Sequence, residues 1–159
     1  MSADSHIKFD GVDGEATHKD HKGGIEVLAW SWGVSQASGS GAGGGSGKGK
    51  ATPQDFHFTH LYDKASPVLA KHCVAGKHFK DMKLTARKAG EGQKDFLVLT
   101  FKEVFISSVQ PAGSSGGDVV ENVSCSYKDV EFAYKPQDDK GGLGGEIKFG
   151  WDVATTATR

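Results

Sequence analysis

The residues with the spacing of a chemical motif lie in a glycine-rich tract. Gly44 to Lys50 has the spacing of a phosphate-binding loop, in which backbone amides and a lysine hold phosphate oxygens. The match ends at Ala51, where a hydroxyl must reach the metal ion, and at Pro53, where a helix N-terminus must supply amide donors. The sequence therefore predicts a flexible loop here, without a bound nucleotide.

Two histidine pairs have the chemistry of metal ligands. His18 and His21 flank Asp20, while His57 and His60 lie in one predicted strand. Neither pair has the i, i+4 spacing of a helical site, and neither has a carboxylate-rich set beside it. We predict a solvated loop for the first pair, ordinary strand positions for the second, and no metal or other cofactor.

No group stands out as a catalytic nucleophile, acid or base. Cys73 follows His72 in a predicted helix, where successive side chains point about 100° apart, so adjacency does not make them a nucleophile and base. The acidic residues are scattered and accompanied by lysines, which leaves no paired general acid and base. We therefore expect a protein that is not an enzyme.

The chain length, net charge, N-terminal sequence and cysteine content narrow the class of protein further. A chain of 159 residues suits a single domain, expected to span residues 1–159. The formal net charge of -1 argues against nucleic acid or an anionic membrane as partner. The first residues, MSADSHIKFD, lack a signal-peptide pattern and no apolar run is long enough for a membrane span, so we expect no cleavable signal peptide and no membrane insertion. The two cysteines, Cys73 and Cys125, are expected to be buried small hydrophobes.

Apolar residues alternate with period two over most of the chain, which predicts strands. A single short α-helix is predicted from about Ser66 to Ala75, with Ser66 as its cap, Pro67 at its first position and Gly76 as its stop. In the predicted strand 79–88, the apolar residues Met82, Leu84 and Ala86 are expected to point inward and the polar residues outward. The polar residues are Asp81, Lys83, Thr85 and Arg87.

The segment Asp95 to Gln110 is too long and too apolar for an ordinary half-buried strand. Its apolar parity changes across Lys102 and Glu103, from Leu97, Leu99 and Phe101 to Val104 and Ile106. One extra residue or a bulge produces such a change, so this strand is predicted to bend. Residues 119–134 change parity in the same way, which predicts a sheet that folds over itself into a two-layered sandwich or barrel.

Several sequence blocks, in order along nearly the whole chain, resemble the Hcp family, the haemolysin-coregulated proteins of bacterial type VI secretion. They are LAWSWG, DKASP, KLTARKAG, FKEVFISSVQ, ENVSCSYKDVEFAYKPQ and GWDV. The first three together are highly specific. The resemblance implies a mainly β, two-sheet β-barrel with one short helix and a long Gly-rich loop.

The resemblance also implies a function. Six subunits would form a homohexameric ring, and rings would stack into a hollow tube that a contractile sheath drives out of the cell together with a spike. The protein would therefore be made in the bacterial cytoplasm and then secreted. The lumen of the tube would carry and protect small effector proteins.

The resemblance directs attention to three groups of residues. Ser31, on the strand face away from the tryptophans, is expected to line the lumen, although a position at a solvated sheet edge explains it equally well. The Gly-rich loop is expected to contact the next ring through Gly43, Gly44, Gly45, Ser46, Lys48 and Lys50. The second apolar parity of the long strand is expected to be covered partly by its own barrel and partly by a neighbouring subunit. It comprises Phe96, Val98 and Phe105.

A different class of protein remains open at this point. The same strands are compatible with a monomeric β-barrel that binds a small ligand, with the glycine tract as its lid. The two hypotheses differ in the mass of the particle in solution.

Overall fold

The computed structural model describes residues 3–36, 51–88, 94–137 and 142–159. These ranges contain twelve strands and one helix, which confirms a mainly β chain with a single short helix. The elements are β1 Ala3–Phe9, β2 Ile25–Val27, β3 Ala29–Ser31, β4 Val34–Gln36, β5 Ala51–Pro53, β6 Phe56–Leu61, α1 Ser66–Ala75, β7 Phe79–Lys88, β8 Asp95–Ala112, β9 Val120–Ser126, β10 Asp129–Tyr134, β11 Ile147–Asp152 and β12 Ala157–Thr158.

The strands form two layers with antiparallel pairing throughout. Sheet A has the order β12-β11-β10-β8-β7-β1-β2, and sheet B has the order β3-β6-β9-β8. β4 and β5 form a separate two-stranded ribbon. Alternating apolar residues from Ile25 to Val34 predict one long strand, and this prediction is wrong because β2 pairs in sheet A whereas β3 pairs in sheet B.

The long strand β8 belongs to both sheets. Its first part pairs with β7 and β10, and its second part pairs with β9. Leu99 and Phe101 before the bend and Val104 and Ile106 after it are fully buried. Glu103 lies at the bend with φ 51°, a left-handed conformation that costs a non-glycine residue about 1–2 kcal/mol. The predicted change of parity and bend are confirmed.

The same crossing occurs between β9 and β10, which pair in different sheets. The turn between them contains Tyr127, whose ring packs 4.9 Å from that of Phe101. Its hydroxyl accepts a hydrogen bond from Trp32 Nε1 at 2.5 Å and donates one to the Gln54 carbonyl at 2.8 Å. Burial raises the pKa of Tyr127 to about 12, so this bridge stays protonated.

Aromatic side chains fill the space between the sheets. Phe9, Phe56, Phe58 and Phe101 are each at most 2% exposed, and the rings of Phe56 and Phe101 lie 4.9 Å apart. Full burial of one such side chain stabilises the fold by about 1.5–3 kcal/mol. The interior of the barrel is thus a packed core.

Of the two cysteines, Cys125 is fully buried as predicted, and its burial raises the pKa of its thiol. Cys73 is only half-buried, so the prediction is wrong for this residue. It lies in α1 and packs against the edge of the core.

The helix α1 begins and ends where the sequence predicts, but its cap differs. Ala65 is the N-cap and Ser66 is already helical. The Oγ of Ser66 accepts a hydrogen bond from the Asp63 amide, and Asp63 Oδ1 accepts one from the Ala65 amide. The predicted Ser66 cap is therefore wrong, because Asp63 organises the turn before the helix. Gly76 ends the helix at φ 65°, in the left-handed conformation that favours glycine.

Candidate functional site

Sheet B presents a continuous row of small polar side chains on its outer surface. In the strand register, Ser31 is opposite His57, His57 is opposite Ser124, and Ser124 is opposite Ser108. A second, parallel row runs beside the first. The two rows, named the polar face, comprise Ala29, Ser31, His57, Thr59, Ser108, Gln110, Asn122 and Ser124.

Hydrogen bonds connect neighbouring strands across the polar face. His57 Nδ1 lies 2.7 Å from Ser124 Oγ, and the Thr59 hydroxyl donates to Asn122 Oδ1 at 2.6 Å. None of the polar face residues carries a carboxylate, an ammonium or a guanidinium group. Such a surface offers hydrogen-bond donors and acceptors to a protein without selecting for its charge.

Ser31 occupies one border of the polar face. Its strand β3 is the edge strand of sheet B, and its side chain is exposed. The neighbouring Trp30 is half-buried and its ring lies 6.1 Å from that of Phe56, which confirms that Ser31 faces away from the tryptophans. The edge position agrees with the simpler explanation of Ser31, whereas its continuity with the polar face agrees with the lumen hypothesis.

Most of the polar face was not recognised from the sequence. Its residues come from four strands spread between positions 29 and 124. Period-two alternation assigns each of them to a face of its own strand, but it does not state which strands pair. Only the sheet register brings them together.

A buried polar pair lies on the inner side of the same sheet. His60 Nε2 is 2.8 Å from Glu121 Oε1, and the two residues are 0% and 1% exposed. The pair joins β6 to β9. Asp63 Oδ1 lies 3.9 Å from the other ring nitrogen of His60, and burial raises the pKa of Asp63. The sequence correctly placed His60 on the face of its strand that carries Phe56 and Phe58, but it did not reveal the partner.

The three candidate contact residues of β8 are all half-buried. Val98 lies on the outer surface of sheet A, opposite Thr85 on one side and Ala133 on the other. The ring of Phe96 is 6.4 Å from that of Tyr134. Phe105 is covered by the end of the α1 region, where the ring of His78 lies 5.4 Å away. Each of the three is thus partly covered by its own chain.

The polar residues of β7 point outward as predicted, but another part of the chain covers one end of the strand. Thr85 is 7% and Arg87 is 4% exposed. Residues 17–22, named the strap, lie over them and contribute Asp20, which accepts a hydrogen bond from Arg87 Nη1 at 3.1 Å. This cover comes from a loop about 65 residues earlier in the chain, which strand periodicity does not detect.

The predicted ring-stacking residues Gly43, Gly44, Gly45, Ser46, Lys48 and Lys50 lie outside the described residues. The tract is flanked by the β4–β5 ribbon, in which Gln36 pairs with Ala51. The two ends of the tract are therefore adjacent.

No group of three or more His, Cys, Asp or Glu side chains in the described ranges is arranged to hold a metal ion. None of the helices found in the same ranges has the length and hydropathy needed to cross a membrane.

A filled two-sheet barrel with a neutral polar outer face defines a class of protein that offers its outer surface, rather than an internal cavity, to other molecules. The sequence profile of the family described as "Type VI secretion system effector, Hcp" matches residues 6–134. The chain belongs to the Hcp family.

Individual relatives agree with this assignment. The chain is 47% identical to "Protein hcp1" of Pseudomonas aeruginosa over 156 residues, which cover 96% of each protein. It is similar to a crystal structure of Hcp1 from Salmonella typhimurium, with 35% identity, full coverage of both chains and a TM-score of 0.83. A further solved structure, described as a type six secretion system protein, has 34% identity, coverage of 99% and 100%, and a TM-score of 0.92.

Proposed function

We propose that six copies of this chain form a ring, that rings stack into the hollow tube of a type VI secretion system, and that the polar face lines the lumen. Membership of the Hcp family supports the tube. The single observation that carries the assignment of the lumen is the polar face itself. Its residues are exposed or half-buried, carry no carboxylate, ammonium or guanidinium group, and run continuously over four strands of sheet B.

The remaining parts of the proposal follow from this role. The whole chain, residues 1–159, acts as one structural, non-enzymatic domain. It is made in the bacterial cytoplasm and leaves the cell with the tube. Its partners are other copies of itself, the spike and sheath of the apparatus, and small effector proteins carried in the lumen. The Gly-rich tract contacts the next ring.

The alternative function, a monomeric β-barrel that binds a small ligand, predicts an internal cavity. In the described residues the interior is occupied by fully buried phenylalanine, leucine and isoleucine side chains. Ligand-binding barrels leave an enclosed space of several hundred Å³. The packing therefore favours a subunit that binds through its outer surfaces.

The mass of the purified protein in solution tests the proposal. We expect light scattering to give a particle of about six subunits, and negative-stain images to show annular particles. A closed ring of identical contacts has a defined number of subunits, so the mass distribution should be narrow. A protein that stays monomeric at high concentration and shows no rings would contradict the proposal.

Replacing Ser31 with arginine should leave the ring intact and lower the retention of a small effector about tenfold or more. A bulky charge must lose its hydration when cargo packs on the polar face, and a neutral surface offers it no partner. The amount of co-purified effector per ring, measured by quantitative mass spectrometry, checks this. Ser31→Thr is the matched control and should retain cargo. Equal retention by the arginine variant would show that Ser31 is only a solvated edge residue.

A further inference from the structure

The strap is attached to the outer surface of sheet A by a cluster of three histidines and one arginine. His21 of the strap stacks on His6 of β1, with ring centroids 4.8 Å apart and an interplanar angle of 14°. The ring of His18 lies 5.8 Å from His6 and 6.0 Å from His21. Three imidazoles therefore meet within one small volume.

Arg87 lies at the centre of this cluster, with a side chain only 5% exposed. It donates hydrogen bonds to Asp20 at 3.1 Å and to Asp95 at 3.1 Å. His21 Nε2 is 3.3 Å from the same Asp95. The strap is thus bound both to β7 and to the beginning of β8.

Both ring nitrogens of His18 lie close to hydrogen-bond donors. Its Nε2 lies 3.2 Å from Arg87 Nη1, and its Nδ1 accepts a hydrogen bond from the Asp20 amide at 3.2 Å. Guanidinium and amide groups only donate. A neutral imidazole has one acceptor nitrogen, so His18 accepts from one of these two donors, whereas a doubly protonated ring would have no acceptor for either.

His6 also favours its neutral form. It is 6% exposed, and its Nδ1 is buried with no hydrogen-bond partner among the described residues. Burial, followed by the nearby His21, lowers the pKa of His6, and His18 acts in the same direction. Glu26 and Asp4 oppose this effect.

We propose that the strap is an acid-released element, which stays on sheet A while the cluster of His6, His18 and His21 holds at most one extra proton and detaches when the cluster takes up a second. Histidine is the side chain whose charge ordinarily changes between about pH 5 and 8. This inference concerns the single subunit and does not depend on ring formation.

The charges around the cluster set how many protons it tolerates. One guanidinium faces the two carboxylates of Asp20 and Asp95, so the centre accommodates one additional positive charge. A second proton places like charges in stacked or adjacent rings. The other charged groups near the cluster are Asp4, Lys8, Lys19, Lys22, Glu26 and Lys83.

The direction of the pH effect follows from His6. Its pKa is lower with the strap in place than in the free side chain, so the open form binds more protons in acid. The stabilisation of the closed form is therefore complete above the ordinary histidine pKa and is lost as the pH falls below it. Each proton taken up on opening lowers the closed-to-open ratio about tenfold per pH unit in that range.

The base of the strap should remain in place during this opening. Val12, Gly14 and Ala16 are buried before it, and the Gly14 amide donates to the Gly23 carbonyl at 2.7 Å. A Cβ added to Gly14 would lie 2.4 Å from the Gly24 carbonyl oxygen, so the two segments are in direct contact. The movement is thus confined to residues 17–22.

Amide hydrogen exchange of the full chain, followed by mass spectrometry between about pH 7.5 and 5, tests the proposal. After correction for the intrinsic effect of pH, we expect protection of the peptide that contains the strap to fall at least tenfold. Protection of β1 and β7 should stay unchanged over this range. Constant protection of the strap, or loss of protection in β7 at the same pH, would overturn the proposal.

A variant assigns the effect to the histidines. His6→Phe keeps an aromatic ring beneath His21 but has no ionisable group, so strap protection should become less steep with pH and persist to lower pH. His78→Gln is the control, because His78 is exposed and lies outside the cluster. If strap protection depended on pH identically in the wild type and in His6→Phe, this would contradict release of the strap by histidine protonation. The wild-type series remains decisive if this variant fails to fold.

Discussion

Replacing Glu121 with leucine should lower the free energy of unfolding by about 3–5 kcal/mol. Glu121 is 1% exposed and lies 2.8 Å from Nε2 of the fully buried His60. Removing the carboxylate leaves an imidazole N–H in an apolar interior without its acceptor, so the full cost of its desolvation appears. The loss in unfolding free energy is therefore set by the cost of leaving His60 without an acceptor, rather than by the net strength of the His60–Glu121 pair.

Two further variants separate these contributions. Glu121→Gln keeps an acceptor oxygen at the same place and should lose much less stability than the leucine variant. The double variant His60→Leu/Glu121→Leu removes both polar groups, and apolar replacement of a buried pair is often close to neutral. It should therefore recover most of the loss. Urea unfolding at one fixed subunit concentration measures all of them, because assembly makes the stability of subunits depend on concentration.

The leucine variant has a clear contrary outcome. A loss below about 1 kcal/mol would mean that water reaches His60 or that the ring relaxes to a new partner. Asp63 is the nearest candidate for such a partner, since its Oδ1 is 3.9 Å from His60 Nδ1.

This pair also shows where reasoning from the sequence ended. Strand alternation correctly placed His60 on the same side of its strand as Phe56 and Phe58, because alternation is a local property of the backbone. It did not identify Glu121, which lies 61 positions away in β9. In the sequence, a charged residue on the inward side of a strand looks the same as a strand whose two sides have been assigned the wrong way round.

The bend of β8 was predictable because it leaves a local signal in the sequence. The contact of Glu121 with His60 leaves no such signal, because the two residues are far apart in the chain. An extra residue in a strand reverses the parity of every apolar side chain after it, so the sequence itself records the change between Phe101 and Val104. Together with the same change in residues 119–134, this change predicts the two-sheet architecture. Burial of Thr85 and Arg87 was not predictable, because the strap that covers them comes from a distant loop.

Contacts between subunits are also beyond the reach of periodicity. Alternation shows that Phe96, Val98 and Phe105 make the second side of the strand apolar. The pattern is the same whether this side is covered by the same chain or by another subunit. In the structure the chain itself covers part of each residue. Phe105 lies under the end of the α1 region, beside His78. Val98, on the open outer surface of sheet A, is therefore the most direct place to test a contact with a second copy.

Replacing Val98 with aspartate should abolish ring formation while leaving the fold of the subunit intact. Val98 is half-buried on the outer surface of sheet A, so in a free subunit the new carboxylate reaches water. In a closed ring the same substitution recurs at every contact between subunits. Each buried, unpaired carboxylate costs several kcal/mol, so no closed ring retains enough interface stability.

Light scattering and negative-stain images of the Val98→Asp protein should show monomers without annular particles, and circular dichroism should show the wild-type β signal. Val98→Thr keeps the branched shape without a charge and should still form rings. Val74→Asp is the matched control for the chemistry of the substitution, because Val74 is 90% exposed on α1. It should assemble normally. If the Val98→Asp and Val74→Asp proteins form rings equally well, the carboxylate at position 98 is not desolvated in the ring. The contact between subunits would then lie elsewhere.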